Sequence, residues 1–201
     1  MIQALSDGVA KWLEKEGAVP SPDQGLFSYA VYSLLFGLLP ILLAFVLGIL
    51  FRMPQESLIM ILPFMLIRKF SGGYHLNDPK KCVIFSSLLL ALALWGVRMF
   101  LATQSTALLS SLVSLSALSL WILSPIENDA RNLSESEMKH FRKIARILSV
   151  DTWGVYWVLQ MCALKTYSVP VGVGIVLVAI LQLPCIPRKL TNCILPDRNK
   201  G

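Results

Sequence analysis

Apolar residues in this chain come in long runs separated by short polar stretches. Five runs are clear: Leu26–Phe51, Val83–Leu101, Ala107–Leu123, Ile147–Leu164 and Val169–Ile186. Each is close to or above the roughly 17–25 residues that a helix needs to cross a hydrocarbon core of about 30 Å. A sixth run, from Leu58 to about Phe70, is short and carries Pro63. A helix of its dozen or so residues rises only about 20 Å. To cross, it must draw on polar residues from Gln55 onward; otherwise it dips in as a re-entrant segment.

The polar stretches carry their own periodicity. Near the start, Ile2, Leu5, Val9, Trp12 and Leu13 form a one-sided apolar stripe at helical spacing. Charges break this stretch too often for the apolar centre of a secretory signal. The pattern predicts an interfacial amphipathic helix within residues 1–24, ended by the breaker cluster from Ala18 to Gly25. In the stretch 125–146, Ser134 with Glu137 makes a capping box and Leu133 with Met138 a hydrophobic staple. A helix should therefore begin at Glu135 and run into the fifth apolar segment. The expected fold class is all-α: one polytopic membrane helical bundle over residues 1–201, with six hydrophobic segments behind the interfacial helix.

Composition agrees with a bilayer protein. The 201 residues are 55% apolar and only 15% charged, where soluble domains carry about a quarter, and the mean hydropathy is +0.65. The placement of charge adds an orientation. With six crossings and a cytosolic N-terminus, fifteen of the eighteen Lys and Arg residues fall on the cytosolic side, and only Arg52, Arg98 and Lys165 outside. That is a strong positive-inside bias, and it largely vanishes if the short segment does not cross. The expected location is thus the cell membrane, with both termini, the loop 68–82, the helical loop 125–146 and the tail 188–201 in the cytosol. The net charge of +6 flanks membrane segments, so anionic lipid headgroups account for it and no nucleic-acid partner is needed.

Other chemistry is sparse. Cys82, Cys162, Cys185 and Cys193 are scattered, with no CxxC pair, and the two histidines are His75 and His140. Neither a disulfide framework nor a zinc site is expected. There is no Gly-rich phosphate loop, and no cofactor is expected.

The most unusual stretch is Arg68-Lys-Phe-Ser-Gly-Gly-Tyr-His-Leu-Asn-Asp-Pro-Lys-Lys-Cys82. Gly72 and Gly73 permit unusual backbone angles and close approach of another chain. Asp78 followed by Pro79 reads as an N-cap and first helical residue, which makes Cys82 the fourth residue of the third membrane helix. The thiolate is the reactive form of cysteine, and helix N-termini and cations favour thiolates; Lys80, Lys81, Arg68 and Lys69 lie in the same stretch. A Cys–His couple supplies a nucleophile and a base that later protonates the leaving amine. The Gly72–Gly73 amides or the helix-start N–H groups are candidate oxyanion donors. On spacing alone, Cys82 equally fits a small apolar residue entering a membrane helix, and His75 a hydrogen-bonded loop residue. Asp151 is a candidate third member that orients His75, or the ion-pair partner of Arg146 or Lys143. Ser110, Ser111, Ser114, Ser116 and Ser119 suit helix packing, His140 a solvated position, and Tyr74 a headgroup anchor.

The string RKFSGGYH, followed seven residues after its histidine by Cys82 in a small six-segment protein, resembles the accessory gene regulator B family. So do the N-terminal amphipathic helix and the charged stretch opening Ser-Pro-Ile-Glu after the fourth segment. The resemblance implies a membrane cysteine endopeptidase with His75 and Cys82 as its catalytic pair, and Arg68 and Gly73 at motif positions. It further implies an AgrD-like precursor peptide as substrate, closure of that peptide to a thiolactone or lactone signal for quorum sensing, and a homodimer. Two rivals from other classes, a small peptide transporter and a membrane sensor subunit, explain the segments but leave the His75–Cys82 stretch idle.

Overall fold

The computed structural model describes residues 2–15, 24–72, 79–103, 105–124 and 135–183. They form seven helices and no strand: α1 Ile2–Lys15, α2 Gln24–Leu50, α3 Pro54–Ser71, α4 Pro79–Thr103, α5 Thr106–Leu123, α6 Glu135–Met161 and α7 Lys165–Gln182. Four stretches, Gly25–Leu50, Lys81–Thr103, Thr106–Leu123 and Lys165–Gln182, are long and apolar enough to cross a membrane. The chain is an all-α membrane helical bundle.

The short apolar run becomes longer than its hydropathy suggests. Pro54 occupies the first turn of α3, where a missing N–H costs nothing, so Gln55 and Glu56 join the helix. Its 18 residues rise about 27 Å. α6 begins at Glu135 and continues unbroken to Met161, as the polar stretch predicted; Leu133 and Ser134 lie outside the described residues. α1 lies against α2 with Ser6 buried and a hydrogen bond between Asp7 and Ser28. Trp12 is exposed, as befits an aromatic anchor at an interface.

Two tight turns have one design. After α2, Arg52 takes φ 59°, its N–H reaches Ile49 O at 3.0 Å, and Met53 N–H reaches Gly48 O at 2.7 Å. After α6, Ala163 takes φ 57°, with Ala163 N–H on Gln160 O at 3.1 Å and Leu164 N–H on Leu159 O at 3.0 Å. Both are Schellman closures, which use a left-handed residue to satisfy the last helical carbonyls.

The bundle is assembled around α7, of whose 18 residues 13 are buried. Glycines let it approach its neighbours. A methyl group added at Gly174 would stand 2.5 Å from the Met60 carbonyl oxygen of α3, and one at Gly172 2.9 Å from both Tyr156 of α6 and Val113 of α5. Polar pairs set the register. Ser168 donates to Gln160 at 2.8 Å, Ser110 bonds Tyr156 at 2.9 Å, and Trp153 Nε1 donates to Ser114 at 3.3 Å. Ser119 turns back to Ser116 O at 2.7 Å and Ser111 to Ala107 O at 3.0 Å. The α5 serines therefore serve packing and local backbone bonds.

These contacts fix direction. Gly174 lies by Met60 and Gln182 by Ser71 and Ser124, so α3, α5 and α7 run parallel. α6 runs against them, because Tyr156 meets Ser110 near the start of α5 while Arg146 meets Trp121 near its end. α4 ends at Thr103, three residues before α5 starts. One pole of the bundle thus holds the two tight turns. The other holds the ends of α3, α5 and α7 and the starts of α4 and α6.

A candidate active site at the loop pole

α3 ends in a geometry that only glycine tolerates. Gly72 has φ 72° and ψ −155°, a region essentially closed to residues with a Cβ. Its N–H donates to Arg68 O at 3.3 Å. The turn just inside this cap is held by aromatic contacts. The Arg68 guanidinium lies 5.9 Å from the Phe64 ring centroid, Lys69 Nζ lies 5.6 Å from that of Phe70, and Phe70 packs against Phe141 of α6 at 5.8 Å. The motif's Arg68 is thus half-buried beside the loop exit, its charge over an aromatic face, an arrangement that stabilises a cation.

Cys82 is half-buried as the fourth residue of α4. The first turn of a helix carries backbone N–H groups without intrahelical acceptors. Pro79 contributes none, which leaves those of Lys80, Lys81 and Cys82 itself. Lys81 is exposed. Gly73, Tyr74, His75 and Asp78 lie outside the described residues.

A basic collar marks the α6 side of this pole. Lys139, Arg142 and Lys143 are exposed on the first turns of α6, beside an exposed His140. Arg146 grips α5: its Nε donates to Trp121 O at 3.2 Å and its guanidinium covers the Trp121 ring at 5.3 Å. Asp151 is exposed and lies about 7 Å along the helix axis beyond Arg146, deeper in the bundle than the loop exit.

Sequence reasoning missed the buried polar knot beneath the collar. Gln182, the last residue of α7, is 1% exposed. Its Nε2 donates to Ser71 O at 3.3 Å and to Ser124 Oγ at 3.0 Å, tying together the ends of α3, α5 and α7. The available signal was a glutamine inside an otherwise apolar run, since polar side chains in membrane helices join neighbours. Ser71, hidden inside the motif string, gave none.

A family model described as Accessory gene regulator B matches residues 6–185. Two proteins of Clostridium perfringens, described only as AgrB-like, are similar over 89 residues: 27% identity in strain SM101 and 26% in strain 13. The chain spans 42% of the length of these curated relatives, and the match covers 44% of the chain itself. No solved structure matches.

Proposed function

The chain belongs to the accessory gene regulator B family, and on that premise we propose that it is a membrane cysteine endopeptidase that processes a short precursor peptide into a cyclic signal. The observation that carries the reading is the pairing of a glycine-capped helix end at Gly72 with Cys82 in the first turn of the next helix. The end of α3 and the start of α4 lie at one pole, and the residues between them in the sequence include His75.

The chemistry runs in two steps. His75 takes the Cys82 proton, and Sγ attacks a carbonyl on the C-terminal side of the precursor. The N–H groups of residues 80–82, or that of Gly73, stabilise the oxyanion; the Gly72 N–H is engaged by Arg68 O. The scissile C–N bond breaks, His75 returns its proton to the departing amine, and the acyl group stays on Cys82 as a thioester. A thiol or hydroxyl of the same peptide then attacks that thioester, the S–C bond to Cys82 breaks, and a thiolactone or lactone closes. The second step, thioester to thioester, is nearly isoenergetic, whereas the first, amide to thioester, is uphill, so removal of the released tail draws the reaction forward. Arg68 anchors the loop exit, and the exposed Lys81 directly precedes Cys82 in the first turn of α4. In this reading Asp151, exposed on α6, serves as a surface charge rather than as a third member.

In this reading the molecule crosses the cell membrane six times, with the loop pole and both termini in the cytosol, and acts as a homodimer among anionic lipids. An AgrD-like precursor is its substrate. The decisive experiment uses a precursor lacking its ring-closing Cys or Ser. The tail should still be released, and a Cys82-linked adduct should accumulate that hydroxylamine removes, since hydroxylamine attacks thioesters and spares amides. Tail release by the Cys82→Ala protein would end the proposal.

A further inference from the structure

The knot at the end of α7 reaches the last turn of α3. Gln182 uses both amide hydrogens, one on the Ser71 carbonyl and one on the Ser124 hydroxyl. A carbonyl can only accept, so the Ser71 contact fixes which way the amide points. That leaves Gln182 Oε1 buried without a partner among the described residues. Buried polar atoms are nearly always paired, and an exception calls for a reason. An apolar side chain of similar size would remove that orphan but would leave the Ser71 carbonyl and the Ser124 hydroxyl without their donor.

The contact itself supplies the reason. Ser71 O is among the last carbonyls of α3, which have no intrahelical donor. It also directly precedes Gly72, whose backbone turns the chain out of the helix. Whatever holds Ser71 O fixes the last described turn of α3, from which the sequence continues to His75. Gln182 holds it from α7, the most buried helix of the bundle, and Ser124 braces Gln182 from the end of α5. We propose that Gln182 is a positioning residue for peptide processing: through Ser71 O it fixes the departure of the His75 segment relative to Cys82. The proposal rests on the cysteine-peptidase reading above. A proton transfer between two side chains is sensitive to such placement, because a shift of about 1 Å can cost on the order of 10²-fold in rate.

The test uses the full chain in lipid vesicles with a precursor peptide, comparing Gln182→Met, Ser124→Ala, Ser124→Thr and Cys82→Ala with the wild type. Gln182→Met keeps volume and removes both donors. Measured per folded protein, its kcat should fall roughly 10- to 100-fold and its KM stay within about twofold, while the two acceptors left without a donor lower its unfolding temperature. The acid limb of its pH–rate profile should also move, which a loss of folded protein would not cause. Ser124→Ala should lose less, and Ser124→Thr, which keeps the hydroxyl, should behave as wild type. Wild-type kcat in Gln182→Met, or a fall that matches lost folded protein with an unchanged pH profile in both Gln182→Met and Ser124→Ala, overturns the positioning role. If Cys82→Ala still releases the tail, the peptidase reading itself fails and takes this inference with it. If Cys82→Ala is dead and Gln182→Met is normal, only the inference fails.

Discussion

At the scale of single residues, close approach and backbone angle decide more than hydropathy does. Gly174 faces the backbone oxygen of Met60, not a flexible side chain, so neither partner can yield cheaply. Gly174→Ala should destabilise the protein by about 1–3 kcal/mol, seen as a lower unfolding temperature in detergent; an unchanged value would mean that α7 can slide on α3. Ala163 behaves in the opposite sense. It sits at φ 57°, where a Cβ costs roughly 1–2 kcal/mol, so Ala163→Gly should raise the unfolding temperature. Hydropathy could announce neither effect, because glycine and alanine look alike in an apolar run and handedness is set by the turn. The helical position of Cys82 was legible, since Asp-Pro marks a helix start on local grounds alone. The partner of Ser71 was not, because Gln182 lies more than a hundred positions away.

At the scale of elements, the strongest local signals marked the helix boundaries best. The acidic start of α6 was readable because Glu135 follows a capping pattern. The start of α3 was half readable: a crossing required polar residues from Gln55 onward, and Pro54 in the first turn lets Gln55 and Glu56 join the helix. The serine-rich face of α5 was read as packing, and it meets α6 through Ser110–Tyr156 and Ser114–Trp153. Such bonds inside a bilayer average about 0.6 kcal/mol by double-mutant cycle. A cycle of Ser110→Ala with Tyr156→Phe should return a coupling of about that size. A value near zero would assign the α5–α6 contact to shape alone.

At the scale of the whole molecule, the proposed six-crossing orientation rests on the alternating directions of α3 to α7 and on the charge bias. Reporter fusions after Lys81 and after Arg142 should both read cytosolic, and an external reading at either would break the six-crossing arrangement. The loop 68–82 carries four positive charges and one negative, as does the tail 188–200, and the α6 collar adds to them. An acidic precursor tail should be drawn there. Added salt should then slow processing of an intact precursor more than that of one with a neutralised tail, and equal slowing would remove the steering. α7 carries a last consequence, one that concerns biosynthesis. The ribosome makes it after every helix that packs on it, so α3, α5 and α6 enter the bilayer with their shared centre still missing. Helices that have inserted but not yet associated are the ordinary intermediate of membrane assembly. Here that stage must last until Lys165–Gln182 emerges. A chain stopped at Leu164 should insert fully, fail to close, and be cleared by membrane proteases, while α7 supplied as a separate fragment should rescue it.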